Sequence, residues 1–480
     1  MQGLGEIMIK KVGFFLGPLL FFMSFFMPLS VAMGKLEWAF LGAFFWIVTW
    51  WVTEAMPIAV ASLLPLVLFP MSGLMELKQV SQCYGEPIIF LFLGGFCLAI
   101  AIEKWHLHQH FSLRLLLAFG QSKRRVLIGF ALATTFISIW ISNTATTLMM
   151  MTIALPVIKI VEAECGDSER DRKFGKALML IIAFCSTIGG MMSLVGTPPN
   201  ILFAGFMKQQ YGIEISMFDW FKVGIPVGLI LLICCLLWIL WGQYRFDHHE
   251  MSNLKPKIKS MIDDLGPFNT QSKLILGIFG LVCFLWMFNP FVERFSGIPL
   301  SDSSIAMLGA LLLFCIPAST RSTERLLGWK DAESKIPWGI LMLFGGGVSL
   351  SAGFQHTRLG PLLSDCLMHY STSMSDIVLI IILTLSMILL SEVATNSAAL
   401  SLFFPILIIA ADIFSISPMV IGMPVALACS GAFMMPAGTP ANALVFGWDG
   451  LEVKDMIKAG FVLDIISALT IVGISYAILL

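Results

Sequence analysis

Charge is what this chain has least of. Asp, Glu, Lys and Arg make up 12% of its 480 residues while hydrophobic residues make up 58%. Soluble domains carry about a quarter charged residues, so this composition excludes a water-soluble globule and marks an integral membrane protein. The formal net charge of -1 leaves no bulk basic footprint for nucleic acid. Histidine is nearly absent from the apolar runs. No paired acids and no Ser/His/Asp set gather there, which counts against a membrane-embedded hydrolase. A phosphate-binding Gly-x-x-x-x-Gly-Lys-Ser/Thr loop is missing, and so is any polar stretch of domain size. ATP hydrolysis within this chain is therefore not expected, and any pumping should draw on an ion gradient. The ten cysteines fall mostly inside apolar runs (Cys97, Cys185, Cys234, Cys235, Cys283, Cys315, Cys429) and read as small hydrophobes rather than disulfides or metal ligands.

What the chain has is long, continuously apolar runs, which disfavour the alternating pattern of a β-barrel. Helical spans are expected at 12–33, 38–53, 55–72, 88–104, 174–194, 221–243, 273–291, 302–317, 336–354, 418–436 and 458–478. That is an all-α protein with eleven crossings. The first run reads as a retained helix rather than a signal peptide, because it lacks a small-residue cleavage site and another span follows at once. Two more apolar stretches, 126–156 and 376–410, have polar motifs at their middles. Each reads as a re-entrant hairpin, since a polar break at membrane depth is tolerated only where protein or a wet cavity surrounds it. With the N-terminus cytoplasmic and the C-terminus outside, 23 of the 29 Lys and Arg residues fall on the cytoplasmic side. The positive-inside rule supports that arrangement.

The first motif is Ser142-Asn143-Thr144-Ala145-Thr146-Thr147, a cluster of uncharged polar groups with no Lys or Arg beside it. Such a cluster suits a dehydrated cation or a polar solute. The chain then repeats itself. Leu93-Gly94-Gly95 returns as Phe344-Gly345-Gly346, Asn143 as Asn396 within Thr395-Asn396-Ser397, and Gly196-Thr197-Pro198-Pro199-Asn200 as Gly438-Thr439-Pro440-Ala441-Asn442. The three landmarks keep their order. An odd number of crossings separates the hairpins, so the repeats are inverted, as in secondary transporters. Each Gly-Thr-Pro element should break a helix inside the membrane. Freed carbonyls there can hold a cation, and the next half-helix N-terminus can face an anion. The expected organisation is N-terminal scaffold helices over 1–87, a first repeat over 88–243, a cytoplasmic linker over 244–272 that holds His248, His249, Asp263 and Asp264, and a second repeat over 273–480.

These motifs, together with Trp51-Val52-Thr53-Glu54-Ala55-Met56-Pro57 and Phe92-Leu93-Gly94-Gly95-Phe96, make the chain resemble the divalent anion–sodium symporter family over about 38–478. The resemblance implies eleven spans, two hairpins, a homodimer and an elevator-type movement of the substrate domain. It implies sodium as the transported co-substrate, with no organic cofactor. One sodium would sit on Ser138, Ser142, Asn143 and Gly196, and a second on Ser391, Ala394, Asn396 and Gly438. Asn143, Thr144, Thr197, Asn396, Ser397, Thr439 and Pro440 would bind the substrate. Two departures concern substrate identity: the second motif reads Thr-Asn-Ser where the family has Ser-Asn-Thr, and Ala441 stands opposite Pro199.

A dianion cannot enter a low-dielectric site without positive charge, and bound sodium supplies it where no basic side chain does. The leading expectation is therefore sodium-coupled symport of small dicarboxylates such as succinate, malate or fumarate, in a bacterial inner membrane. Alternatives are a sodium-coupled citrate or sulfate carrier, a sodium-independent exchanger, and a passive anion channel. Besides the small dianion, the expected partners are membrane lipid and a second copy of the chain, and no nucleic acid. Glu54, Glu103 and Glu392 lie near membrane depth, where either hydrogen bonding to loop amides or direct coupling would explain them. His106, His108 and His110 alternate at spacing two, which spreads them around a helix and points to an interfacial amphipathic segment rather than a metal site.

Overall fold

The computed structural model describes residues 2–27, 33–119, 122–165, 169–246, 254–298, 300–319, 324–359, 361–362 and 375–479. His248 and His249 lie outside the described residues, as do parts of the expected linker. Among the described residues the named elements are all helices, with an isolated bridge between Pro317 and Arg325. The first half contains α1 Gln2–Ser24, α2 Lys35–Thr53, α3 Ile58–Ala61, α4 Pro65–Ser72, α5 Leu77–Cys83, α6 Pro87–Lys104, α7 Leu107–Phe119, α8 Lys123–Ser138, α9 Asn143–Cys165, α10 Glu169–Met191, α11 Pro198–Tyr211 and α12 Met217–Leu237, which runs into a π-helical turn at Trp238–Gln243. The second half contains α13 Leu254–Asp264, α14 Thr270–Ser296, α15 Asp302–Cys315, α16 Trp329–Lys335, α17 Trp338–Gln355, α18 Asp376–Ser391, α19 Asn396–Phe414, α20 Pro418–Cys429, α21 Pro440–Phe446 and α22 Val453–Leu479. Among the described residues, eight helical stretches are long and apolar enough to cross a membrane, or nine if the bent pair α16 and α17 counts as one.

Two expected spans are broken. The stretch 55–72 divides into α3 and α4, and Pro65 opens α4 at a position where its missing N–H costs nothing. The expected span 418–436 stops at Cys429, and the chain stays irregular until Thr439. Its apolar composition hid that break, because Ala432, Phe433, Met434 and Met435 give no polar signal. The alternating histidines precede and enter α7, a short helix with its own basic residue Arg114.

α10 is the axis of the molecule: 94% of its apolar window, Arg172–Met191, is buried inside the protein. It packs against α8 and α9 on one side and α12 and α21 on others. The halves then interlock. α11 of the first half packs on α17, α19 and α20 of the second, and α21 of the second packs on α9 and α10 of the first. Phe206 of α11 stacks on Phe404 of α19 with ring centres 4.1 Å apart, and Phe184 of α10 meets Phe433 edge-on at 5.2 Å.

The repeated Gly-Gly landmark serves close packing. Gly94 of α6 lies directly against the backbone of Ala306 in α15, and Gly346 of α17 against the backbone of Ser62. Without a hydrophobic driving force between helices in lipid, such small-residue contacts carry much of the association. At the end of α6, Lys104 pairs with Glu324 (2.9 Å) and Asp331 (2.8 Å), and Glu103 accepts from Lys335 at 2.7 Å. Gly94→Val should therefore lower the thermal unfolding midpoint in detergent, with an overpacking cost of about 1–3 kcal/mol. Gly277→Ala, with nothing near its missing Cβ, is the control and should leave the midpoint in place.

Candidate substrate and cation site

Asn143 begins α9, and the chain before it, Ile139–Ser142, is not helical in the regular sense. The Ser138 hydroxyl, fully buried at the end of α8, donates to Asn143 Oδ1 at 3.0 Å. Ser142 Oγ accepts weakly from the Ala145 amide at 3.4 Å, and Thr147 donates to Ser186 of α10 at 2.9 Å. The Asn143 amide lies over Gly190, and Gly196 in turn backs onto the Gly190 backbone. Both glycines are needed for close approach, since neither has a positive φ. Ser138, Asn143 and Gly196 are thus gathered around Gly190. Ser142 and Asn143 are half-buried, Thr144 is exposed in the first turn of α9, and Thr197 is buried.

The loop between α10 and α11 is held from inside by Asn200. Its Nδ2 donates to the Gly190 carbonyl at 3.1 Å and the Ser193 carbonyl at 2.7 Å. Ser193 Oγ accepts from the Gly196 amide at 2.9 Å and donates to the Ile139 carbonyl. The broken helix and the break before Asn143 are therefore tied together by one serine. Thr197 caps α11 from extended backbone, and Pro198 occupies the first helical position.

The second half repeats this geometry in the same register. Asn442 Nδ2 donates to the Ala432 carbonyl (3.1 Å) and the Met435 carbonyl (3.0 Å), ten and seven residues back, as Asn200 does. Asn396 begins α19. Its amide, oriented by its neighbours, donates to the carbonyls of Cys429 (3.2 Å) and Gly438 (3.1 Å). Asn396 and Gly438 are thus in direct contact, matching the convergence of Asn143 and Gly196. Ser391 and Ala394, which precede Asn396 in the chain, are buried, Ser391 donating to the Ile388 carbonyl at 2.9 Å. Thr439 Oγ1 accepts the Asn442 amide at 3.1 Å, so this hydroxyl caps α21 and keeps its proton for another acceptor. Ser397 is half-buried and Pro440 exposed. The hydroxyls of Thr395 and Ser430 are buried without a partner.

One element differs between the halves. Where Ser193 joins the first loop to Ile139, the second loop is joined by a carboxylate. Glu392 Oε1 accepts from the Met434 amide and Oε2 from the Met435 amide, both at 2.7 Å, and Asp464 of α22 accepts from Phe433 at 3.1 Å. Glu392 therefore hydrogen-bonds loop amides, one of the two roles open to it from sequence. Glu54 is exposed and Glu103 part-exposed, and they pair with Lys10 and Lys335. Asn200, Asn442 and Ser193 were not among the expected site residues. The fixed position of the asparagine in both copies of the Gly-Thr-Pro element was the signal that could have found two of them.

A family profile described as the sodium:sulfate symporter transmembrane region matches residues 11–480. The chain belongs to the sodium:sulfate symporter family. It is 36% identical over 474 residues to a sodium-dependent dicarboxylate transporter, SdcS, of Staphylococcus saprophyticus, spanning 97% of this chain and 91% of that protein. It is 38% identical over 482 residues to the protein of that name in Staphylococcus aureus strain USA300, spanning 98% and 91%. Among solved structures it is similar to the YdaH transporter of Alcanivorax borkumensis (TM-score 0.56, 15% identity, 83% of this chain and 86% of that one). It is also similar to MtrF of Neisseria gonorrhoeae (TM-score 0.54, 13% identity, 83% of each chain). At those identities the likeness is one of fold.

For a symporter-family member, the contact between Gly190 and Asn143 yields a direct prediction. Gly190→Ala puts a Cβ onto the Asn143 amide and should cut the initial uptake rate severely, whereas Gly280→Ala, at an open position, should leave it unchanged. Asn442→Ala should strand two loop carbonyls, a cost of about 1–3 kcal/mol, visible as a lower unfolding midpoint in detergent.

Proposed function

We propose that this protein is a secondary transporter that carries small dicarboxylates into the cell together with sodium. The observation that carries the reading is the pair of matched junctions, each an Asn-led helix start against a Gly-Thr-Pro loop, with no Lys or Arg in either. A cation site of neutral oxygens must replace hydration waters with carbonyls and hydroxyls. In the first half the candidates are Ser138, Ser142, Asn143 and Gly196, and in the second Ser391, Ala394, Asn396 and Gly438. Asn143, Thr144, Thr197, Asn396, Ser397, Thr439 and Pro440 are the proposed substrate contacts. The N-terminal ends of α9, α11 and α19 would add a favourable field for the dianion. Sodium bound first lowers the cost of bringing the dianion in, so affinity for one depends on the other.

The finer architecture belongs to the same proposal. The stretches 126–156 and 376–410 are re-entrant hairpins, and eleven helices cross the membrane. The contacts of α8 and α9 with α10 support a hairpin in the first half. Thr135 reaches Cys185 and Ser138 packs near Gly189, while Thr147 reaches Ser186 and Asn143 lies on Gly190. α8 then runs with α10, and α9 runs against it. The units are 1–87, 88–243, the linker 244–272 and 273–480, with the repeats inverted, the N-terminus cytoplasmic and the C-terminus outside. Function as a homodimer in a bacterial plasma membrane, by an elevator-like movement, completes the reading.

The test is uptake of labelled succinate into proteoliposomes under an inward sodium gradient against an equal potassium gradient. Sodium should be required. Asn143→Ala should reduce uptake roughly 10- to 100-fold, the value of a hydrogen bond to a charged group. Sodium-dependent uptake of sulfate or citrate in place of succinate would keep the coupling and change the substrate. Equal succinate uptake in both salts would overturn symport.

A further inference from the structure

A cavity of about 440 Å³ lies between α7, the end of α8 and α14, and borders the break before Asn143 through Trp140 and Ile141. Its walls are almost wholly hydrocarbon and aromatic, with Phe136, Trp140 and Phe279 among them. His108, His110 and Trp140 are among the lining residues, but Nδ1 of each histidine and Nε1 of the tryptophan are turned into the protein rather than to the cavity. An apolar cavity of this size calls for a mostly hydrocarbon occupant.

The charge around the cavity says what that occupant is. Arg114 lines it, is exposed, and has no ion-pair partner among the described residues; its guanidinium lies over the Phe268 ring at 5.5 Å. α13, which packs on α7, adds Lys255, Lys257 and Lys259 at one end, with Asp263 and Asp264 at the other. The rim residues Phe111, Phe136 and Leu276 are exposed on an apolar surface, so the cavity is reached from the lipid rather than from water. Apolar walls and a cation at the edge match a lipid acyl chain and an anionic head.

We propose that this cavity binds one anionic phospholipid. An acyl chain fills the aromatic interior beside Phe136, Trp140 and Phe279, and the phosphate sits on Arg114. Trp140 follows Ile139, whose carbonyl takes the Ser193 hydrogen bond, so the bound lipid touches the break that precedes Asn143. It is a brace on that break supplied by the membrane.

Native mass spectrometry of the purified full-length protein in detergent tests this, with phosphatidylglycerol, phosphatidylcholine and oleate added in separate titrations. One phosphatidylglycerol should be held more tightly than phosphatidylcholine. Arg114→Ala should weaken it about fivefold, the worth of one basic residue against an anionic head. Ala118→Trp, which fills the cavity without removing a charge, should abolish the tight site. Circular dichroism spectra matching wild type establish that both variants are folded. Equal retention of phosphatidylglycerol by wild type and both folded variants would overturn the proposal. So would equally tight phosphatidylcholine, or tight oleate without tight phosphatidylglycerol.

Discussion

A backbone carbonyl released inside an apolar protein must find a donor, and in this fold two asparagines supply them. Asn200 and Asn442 each hold two carbonyls of an unwound loop, at the same two distances along the chain. Everything proposed for the site depends on these loops keeping one shape. A loop free to rewind would close the gap that brings Gly196 toward Asn143 and Gly438 toward Asn396. The asparagine amide is suited to the task because it offers two donors and carries no charge that would compete with a bound ion.

The glycines complete the arrangement by omission. Gly190 and Gly196 have ordinary backbone angles, and what they provide is space for one main chain to lie on another. The same logic holds at Gly94 and Gly346 in the helix contacts. The halves keep the geometry while changing its chemistry. A serine hydroxyl ties the first loop to the preceding break, and a buried carboxylate ties the second. A carboxylate that accepts two backbone amides is a stronger clamp than a hydroxyl, so the two loops are not equally stiff.

Much of this was legible in the sequence because membrane proteins write their breaks as polar residues in apolar runs. Asn143, Asn396 and the two Gly-Thr-Pro elements stand out for that reason, and each sits where a helix starts. The internal repeat was legible too, since the landmarks kept their order. The break after Cys429 was not, because an irregular segment made of Ala, Phe and Met looks like a span until its hydrogen-bond partners are known. Those partners, Glu392 and Asp464, come from other helices. The split of 55–72 was hidden in the same way, behind a run of apolar residues. Hydropathy reports what surrounds a segment, while its backbone pairing is decided by residues far away in the chain.

The interlock of the halves has a consequence for how the molecule is made. α11 packs on α17, α19 and α20, whose residues lie more than a hundred positions further along, and α9 takes α21 from near the C-terminal end. During synthesis the first half therefore enters the bilayer with one face of α9 and α11 uncovered. Lipid tails must act as stand-ins for protein until the last third of the chain arrives. Such long-range closure is slow to find. Assembly of this transporter therefore includes a docking of its two halves that joins residues far apart in the chain.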